Sequence, residues 1–120
     1  MKCMVMVKAT KDSEDGVMPT AELIGAMGTY NADLISAGIM KGGGGLKPTS
    51  RAVRVRFSGT DRTVINGPFA PTEDQVSGYW LWEVESMDEA IEWLKRCPNP
   101  MLVDSEIEIR PEFEDADFIQ

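Results

Sequence analysis

Apolar runs and polar punctuation alternate along the chain closely enough to assign most of its elements. Residues 3–7, CMVMV, form a short continuous apolar run, which reads as a strand buried on both faces. The stretch KATKDSEDGVMP follows as a polar loop, and its carboxylate spacing does not match a calcium loop. Thr20 then stands as an N-cap, with Glu22 in the first turn, where the helix dipole favours an anion. Leu23, Ile24, Met27, Tyr30, Leu34 and Ile35 recur at helical spacing as one apolar stripe. Gly38 is placed to end the helix in the left-handed conformation, so the pattern predicts an amphipathic helix over 20–37.

The second half switches to a period of two. Ile39 and Met40 begin a strand that the glycines at 42–45 loosen. In RAVRVRFS, Ala52, Arg54, Arg56 and Ser58 point one way and Val53, Val55 and Phe57 the other. GTDR is a turn signal and TVI a short returning strand, giving a hairpin over 51–66. GYWLWEVE is a strong strand, with Trp80, Trp82 and Val84 on one face and Tyr79, Leu81 and Glu83 on the other. Ser86 opens a second helix, with Glu89 three residues on as a capping box. Its buried stripe is Met87, Ala90, Ile91, Leu94 and Cys97, and Pro98 stops it. VDSEIEIR alternates again, with Val103, Ser105, Ile107 and Ile109 inward. The last residues, PEFEDADFIQ, are acidic, with Phe113 and Phe118 as candidate anchors.

Set aside the extra hairpin strand and the order is βαββαβ, a ferredoxin-like α+β arrangement over residues 1–110 with an acidic tail over 111–120. Both helices are expected on one face of the sheet. The other face is then expected to carry Trp, Val or Arg side chains that nothing in the chain covers, and a two-fold homodimer closing the sheets on each other is the simplest remedy.

Composition narrows the chemistry. The 120 residues suit one domain, and 42% apolar with 27% charged residues is ordinary globular usage. A formal charge of −8 disfavours a nucleic-acid backbone as partner. Cys3 and Cys97 provide no disulfide framework, no apolar segment approaches membrane-spanning length, and the N-terminal residues lack a secretory pattern. A soluble cytoplasmic protein is expected. There is no histidine, so a histidine base, a Ser-His-Asp triad and a histidine metal cage are excluded. Acid–base chemistry would fall to carboxylates, a lysine, a tyrosine or a cysteine. Neither a metal nor a cofactor is expected.

The segment GPFAPTEDQVSGYWLWEVESMDEAIEWLKRCP, with GGGGLKP and a VRV strand upstream, resembles the DGPF group of the YCII-related domain family. The resemblance covers nearly the whole chain. It implies a ferredoxin-like fold pairing into a dimeric α+β barrel, with a shared cleft serving small-molecule binding or an unidentified enzymatic role. Some members of that family occur beside extracytoplasmic-function sigma factors, which implies a non-catalytic regulatory interaction as the alternative. One position departs from the pattern: the motif's usual first aspartate is Asn66 here. An amide caps a turn as an aspartate does but cannot exchange a proton.

The candidate site follows from these residues. Lys47 lies between Leu46 and Pro48 with a strand after it, which is not phosphate-loop spacing, so Gly44, Gly45, Leu46 and Lys47 are expected to border a pocket instead. Arg54 and Arg56 either form a solvated face or attract a small anionic ligand. Gly67 allows a positive φ and Pro68 fixes the chain direction beyond it, with Phe69 expected either to plug the core or dimer seam or to line the pocket. Tyr79 completes the ligand set, and Asn66 and Glu73 are the weak candidates for a catalytic role. Cys97 at a helix C-terminus and Cys3 in a strand are expected to be unreactive.

Overall fold

A computed structural model describes residues 1–119. Four strands form an antiparallel sheet in the order β2-β5-β1-β6, with β1 Lys2–Lys8, β2 Met40–Gly45, β5 Val76–Glu83 and β6 Ile107–Pro111. With α2 Ala21–Ser36 after β1 and α3 Met87–Lys95 after β5, this is the ferredoxin-like α+β fold. The polar loop after β1 contains one helical turn, α1 Lys11–Glu14, closed by a reciprocal cap between Thr10 and Ser13.

The hairpin departs from expectation. Strands β3 Val53–Ser58 and β4 Asp61–Asn66 pair only with each other, as a separate two-stranded ribbon inserted between β2 and β5. The returning strand is therefore longer than TVI, and every residue of both strands is exposed.

The core lies between the sheet and the two long helices. Cys3, Val5 and Val7 from β1 meet Trp80 and Trp82 from β5, Tyr30 and Leu34 from α2, and Ala90 from α3. Register explains the choice: Cys3 stands opposite Trp82, and Val5 stands opposite both Trp80 and Ile109. Two expectations are corrected here. β1 is not buried on both faces, because Met4 is exposed and Met6 half-buried. The uncovered face does not carry the sheet tryptophans; both lie under the helices, and Met4, Met6, Tyr79 and Leu81 form the opposite side, with Arg110 and Glu108 of β6 beside Met4 and Met6.

The caps form at α2 as read. Thr20 Oγ1 accepts from the Leu23 amide at 3.1 Å. Gly38, at φ 74°, closes the other end, with Gly38 N–H donating to Ile35 and Ile39 N–H to Leu34. The stripe is narrower than expected. Leu23, Met27, Tyr30 and Leu34 follow one line and are buried or half-buried, whereas Ile24 and Ile35 fall on the adjacent line and are exposed. In α3, Ala90 is buried and Ile91 is exposed, and Ser86 Oγ accepts from the Glu89 amide at 3.2 Å. The last strand begins at Ile107 rather than Val103, which is exposed. Phe113 and Phe118 are not anchored in the body; both are exposed and stack on each other with centroids 5.2 Å apart.

Leu34→Ala, at a fully buried position, should cost about 2–5 kcal/mol in chemical denaturation. Ile35→Ala, its exposed neighbour, should stay within about 0.5 kcal/mol of the parent. Equal losses would contradict the packing described.

Candidate functional site

The chain between β2 and β5 folds around Thr49. Pro48 leads into a single turn of 3-10 helix, Thr49–Arg51, and Thr49 is buried. Its amide donates to Glu14 Oε1 at 3.0 Å, and its hydroxyl donates to Glu14 Oε2. The same hydroxyl oxygen accepts from the Phe69 amide at 3.0 Å. The Ala52 amide donates to the Thr49 carbonyl and the Gly67 amide to the Ala52 carbonyl, each at 2.9 Å. One carboxylate on α1 thus holds the 3-10 turn, and that turn holds the NGPF segment.

Gly67 is required here for a reason other than the expected one. The positive-φ glycines are Gly16, Gly38, Gly43 and Gly59. Gly67 instead lies against the Thr49 backbone, and a Cβ on it would fall 1.7 Å from the Thr49 carbonyl oxygen. The Gly67–Pro68 and Ala70–Pro71 bonds are both cis.

Phe69 is half-buried and serves as a platform. The Arg54 guanidinium lies 3.8 Å from its ring centroid, and Arg54 Nη2 donates to Gln75 Oε1 at 3.2 Å. Gln75 is buried and donates through Nε2 to the Pro71 carbonyl at 3.1 Å. Arg54 is thereby fixed at the hairpin base. Arg56 lies further out, opposite Thr63, and is exposed. Asn66 ends β4 opposite Val53, and Glu73 lies on an exposed 3-10 turn, Thr72–Asp74.

The remaining expected residues border two hollows. A cleft of about 590 Å³ opens where the ends of β2 and β5 meet the α1–α2 connection and the 100–102 loop. Val17, Met18, Leu23, Leu46, Met101 and Leu102 supply its apolar walls, and Lys47 and Asp12 its charges. A smaller hollow of about 280 Å³ lies between α2 and the sheet, bordered by Gly43, Gly44, Gly45, Tyr79 and Asn31. Asn31 Oδ1 accepts from Trp80 Nε1 at 2.9 Å. Val7, Gly45 and Gly78 border both hollows, so the missing side chains at the strand ends make the space.

The expected site therefore divides in two. Gly44, Gly45, Leu46 and Lys47 border the hollows, as Tyr79 does from β5 although its side chain lies on the uncovered face; Arg54, Asn66, Gly67, Pro68 and Phe69 gather at the hairpin base beyond Thr49; Arg56 joins neither. Glu14, Thr49, Gln75 and Asp12 escaped the sequence reading. Thr49 directly after Pro48 is a turn signal, but a glutamate in a polar loop carries no mark of the partner it will find.

Burial holds the thiols and the buried phenol toward their protonated forms. Burial pushes the Cys97 thiol up to about 11 and raises that of Cys3. Tyr30 is raised by burial as well, and its hydroxyl donates to the Trp93 carbonyl at 2.8 Å. Among the described residues, no group of three or more His, Cys, Asp or Glu side chains could hold a metal ion, and no helix is long and apolar enough to cross a membrane.

Two outcomes test this geometry. Gly67→Ala should destabilise the fold by about 2 kcal/mol or more in denaturant titration, since backbone must move to admit the methyl. The raised thiols give a pH dependence. An unfolded Cys97 loses its proton near 9.0 while the folded one holds it to about 11, so its contribution to stability is intact below pH 9 and is lost as pH rises through 11. Urea midpoints measured across that window should fall, and Cys97→Ala should flatten the slope.

The YCII-related domain family matches residues 1–112. A protein of Rhizobium meliloti (strain 1021), named only as uncharacterized, is 35% identical over 66 residues, covering 55% of this chain and 53% of its own. The chain spans about half the length of that curated relative. With the match running from the first strand through the last, the chain belongs to the YCII-related domain family.

Proposed function

We propose that the protein binds a small molecule with an apolar body and one anionic group in the cleft beside the glycine strand. The observation that carries this reading is Lys47 at the border of an apolar-walled space. Among the described residues it makes no ion pair, while the cleft of about 590 Å³ is of ligand size. On a chain of formal charge −8, such a lysine is a local attraction in a repulsive field. Asn66 and Glu73 lie outside the residues that line the cleft. Any turnover there would rest on hydrogen-bond polarisation with Asp12 as the available carboxylate. A homodimer is part of the reading, with a second copy packing on the face of Met4, Met6, Tyr79 and Leu81. The alternative, a non-catalytic interaction protein such as a sigma-factor partner, draws its support from the exposed hairpin.

Thermal-shift measurements with apolar carboxylates and their neutral amides test the site. At a hundredfold excess over Kd, binding adds roughly 2.7 kcal/mol, a rise of about 10 °C in Tm. Lys47→Gln should weaken carboxylate binding about tenfold and leave the amides unaffected. Gly45→Leu should abolish binding with the fold intact, because a Cβ at Gly45 meets nothing within 4 Å. A panel without any shift, or shifts that persist in Gly45→Leu, would sink the cleft reading and favour the interaction protein.

A further inference from the structure

The β3–β4 hairpin is the least explained part of the molecule. Its register puts Val53, Val55 and Phe57 on one face with Val64, and these side chains are 61%, 46%, 70% and 64% exposed. Arg62 extends that face, with its guanidinium 4.5 Å from the Phe57 ring centroid. A two-stranded ribbon open on both sides is marginal alone, and four large apolar residues in a row are a contact surface in want of a partner. The hairpin is also cationic, holding Arg54, Arg56 and Arg62 against a lone Asp61, on a chain whose formal charge is −8.

The complementary surface lies at the other end of the chain. Residues 112–119 carry Glu112, Glu114, Asp115 and Asp117 with no basic residue among them. Phe113, Phe118 and Ile119 are 78%, 70% and 77% exposed, and the two rings touch only as a pair beside the short 3-10 turn Asp115–Phe118. A cationic apolar ribbon and an anionic aromatic segment thus occur on one chain, and both stay uncovered within it. The chain is correspondingly spread out. Its radius of gyration is 16.5 Å, against about 14 Å for a compact chain of this length.

We propose that the hairpin of one copy docks on residues 112–119 of a second copy, which returns the same contact. Phe113 and Phe118 lie on the Val53, Val55, Phe57 and Val64 face, and the acidic side chains gather beside Arg62, which shares that face. Reciprocal exchange satisfies both surfaces on both copies under two-fold symmetry and closes the assembly. A one-way contact would leave one hairpin and one tail bare and would propagate. The inference rests on pairing into a homodimer, and it assigns a contact separate from the Met4, Met6, Tyr79 and Leu81 face.

Sedimentation equilibrium of the full chain tests it. Val55→Asp and Phe118→Ala should each raise the dimer dissociation constant about tenfold or more. The double variant should be little weaker than Val55→Asp alone, since both remove one contact. Raising salt from about 0.05 M to about 0.5 M should weaken the parent dimer and affect the variants less. Near-UV circular dichroism of the buried tryptophans reports whether a variant is folded, and Arg62→Glu replaces Val55→Asp in the cycle if the latter is not. Additive or absent effects, in a dimer that Met4→Asp or Leu81→Asp dissociates, would overturn the exchange and leave the sheet pairing standing. A parent chain that stays monomeric at high concentration would overturn both.

Discussion

The constraint that organises this molecule is one-sided burial. A four-stranded sheet with helices on a single face can bury only every second residue of each strand. Trp80 and Trp82, packed with centroids 6.0 Å apart, take the covered side together with Val5 and Leu34. The alternate residues, Met4, Met6, Tyr79 and Leu81, have to lie on the other. Apolar side chains therefore lie on both surfaces of one layer, and the outline is flat, 47 × 46 × 20 Å. The hollows follow from the same packing. The helix can approach the sheet only as closely as Trp80 and Tyr30 allow, in edge-on contact at 6.0 Å, and beyond them the strand ends at Gly45 and Gly78 have nothing to fill the gap.

Elements whose side chains meet the core were legible in the sequence, because periodicity records burial. Thr20, Gly38 and Ser86 mark helix ends through backbone chemistry that works locally, so those limits could be read without knowing the fold. Which face of the tryptophan strand goes inward was harder. Alternation separates the two sets of residues but does not say which of them meets the helices, and here both sets are apolar. Ile24 and Ile35 illustrate the limit within a helix: they satisfy a helical period yet fall just off the line that touches the sheet.

The site was legible in residue types and not in grouping. Glycines, Lys47, Arg54 and the NGPF turn were all visible as unusual, but their separation into two groups depends on Thr49 and Glu14, which are far apart in sequence. The bond between them is a tertiary event without a local signature. Its effect is mechanical. Glu14 belongs to the turn whose Asp12 and Ser13 border the cleft, and Thr49 carries the amide of Phe69, on whose ring Arg54 rests. A carboxylate accepting two hydrogen bonds is a stiff link in a partly buried setting. The cleft border and the arginine platform consequently share one support.

The glycine strand β2 has a further cost. It is an outer strand of the sheet, so its far row of backbone N–H and C=O groups is unpaired within the sheet. Natural sheets guard such rims with bulky or charged side chains, prolines and irregularities. Over residues 42–45 this one has none of those side chains, and its protection is reduced to a lysine at either end, Lys41 and Lys47, and the irregular step between Met40 and Gly42. The openness that leaves the hollows is the same openness that would let a stray extended segment add itself as a fifth strand.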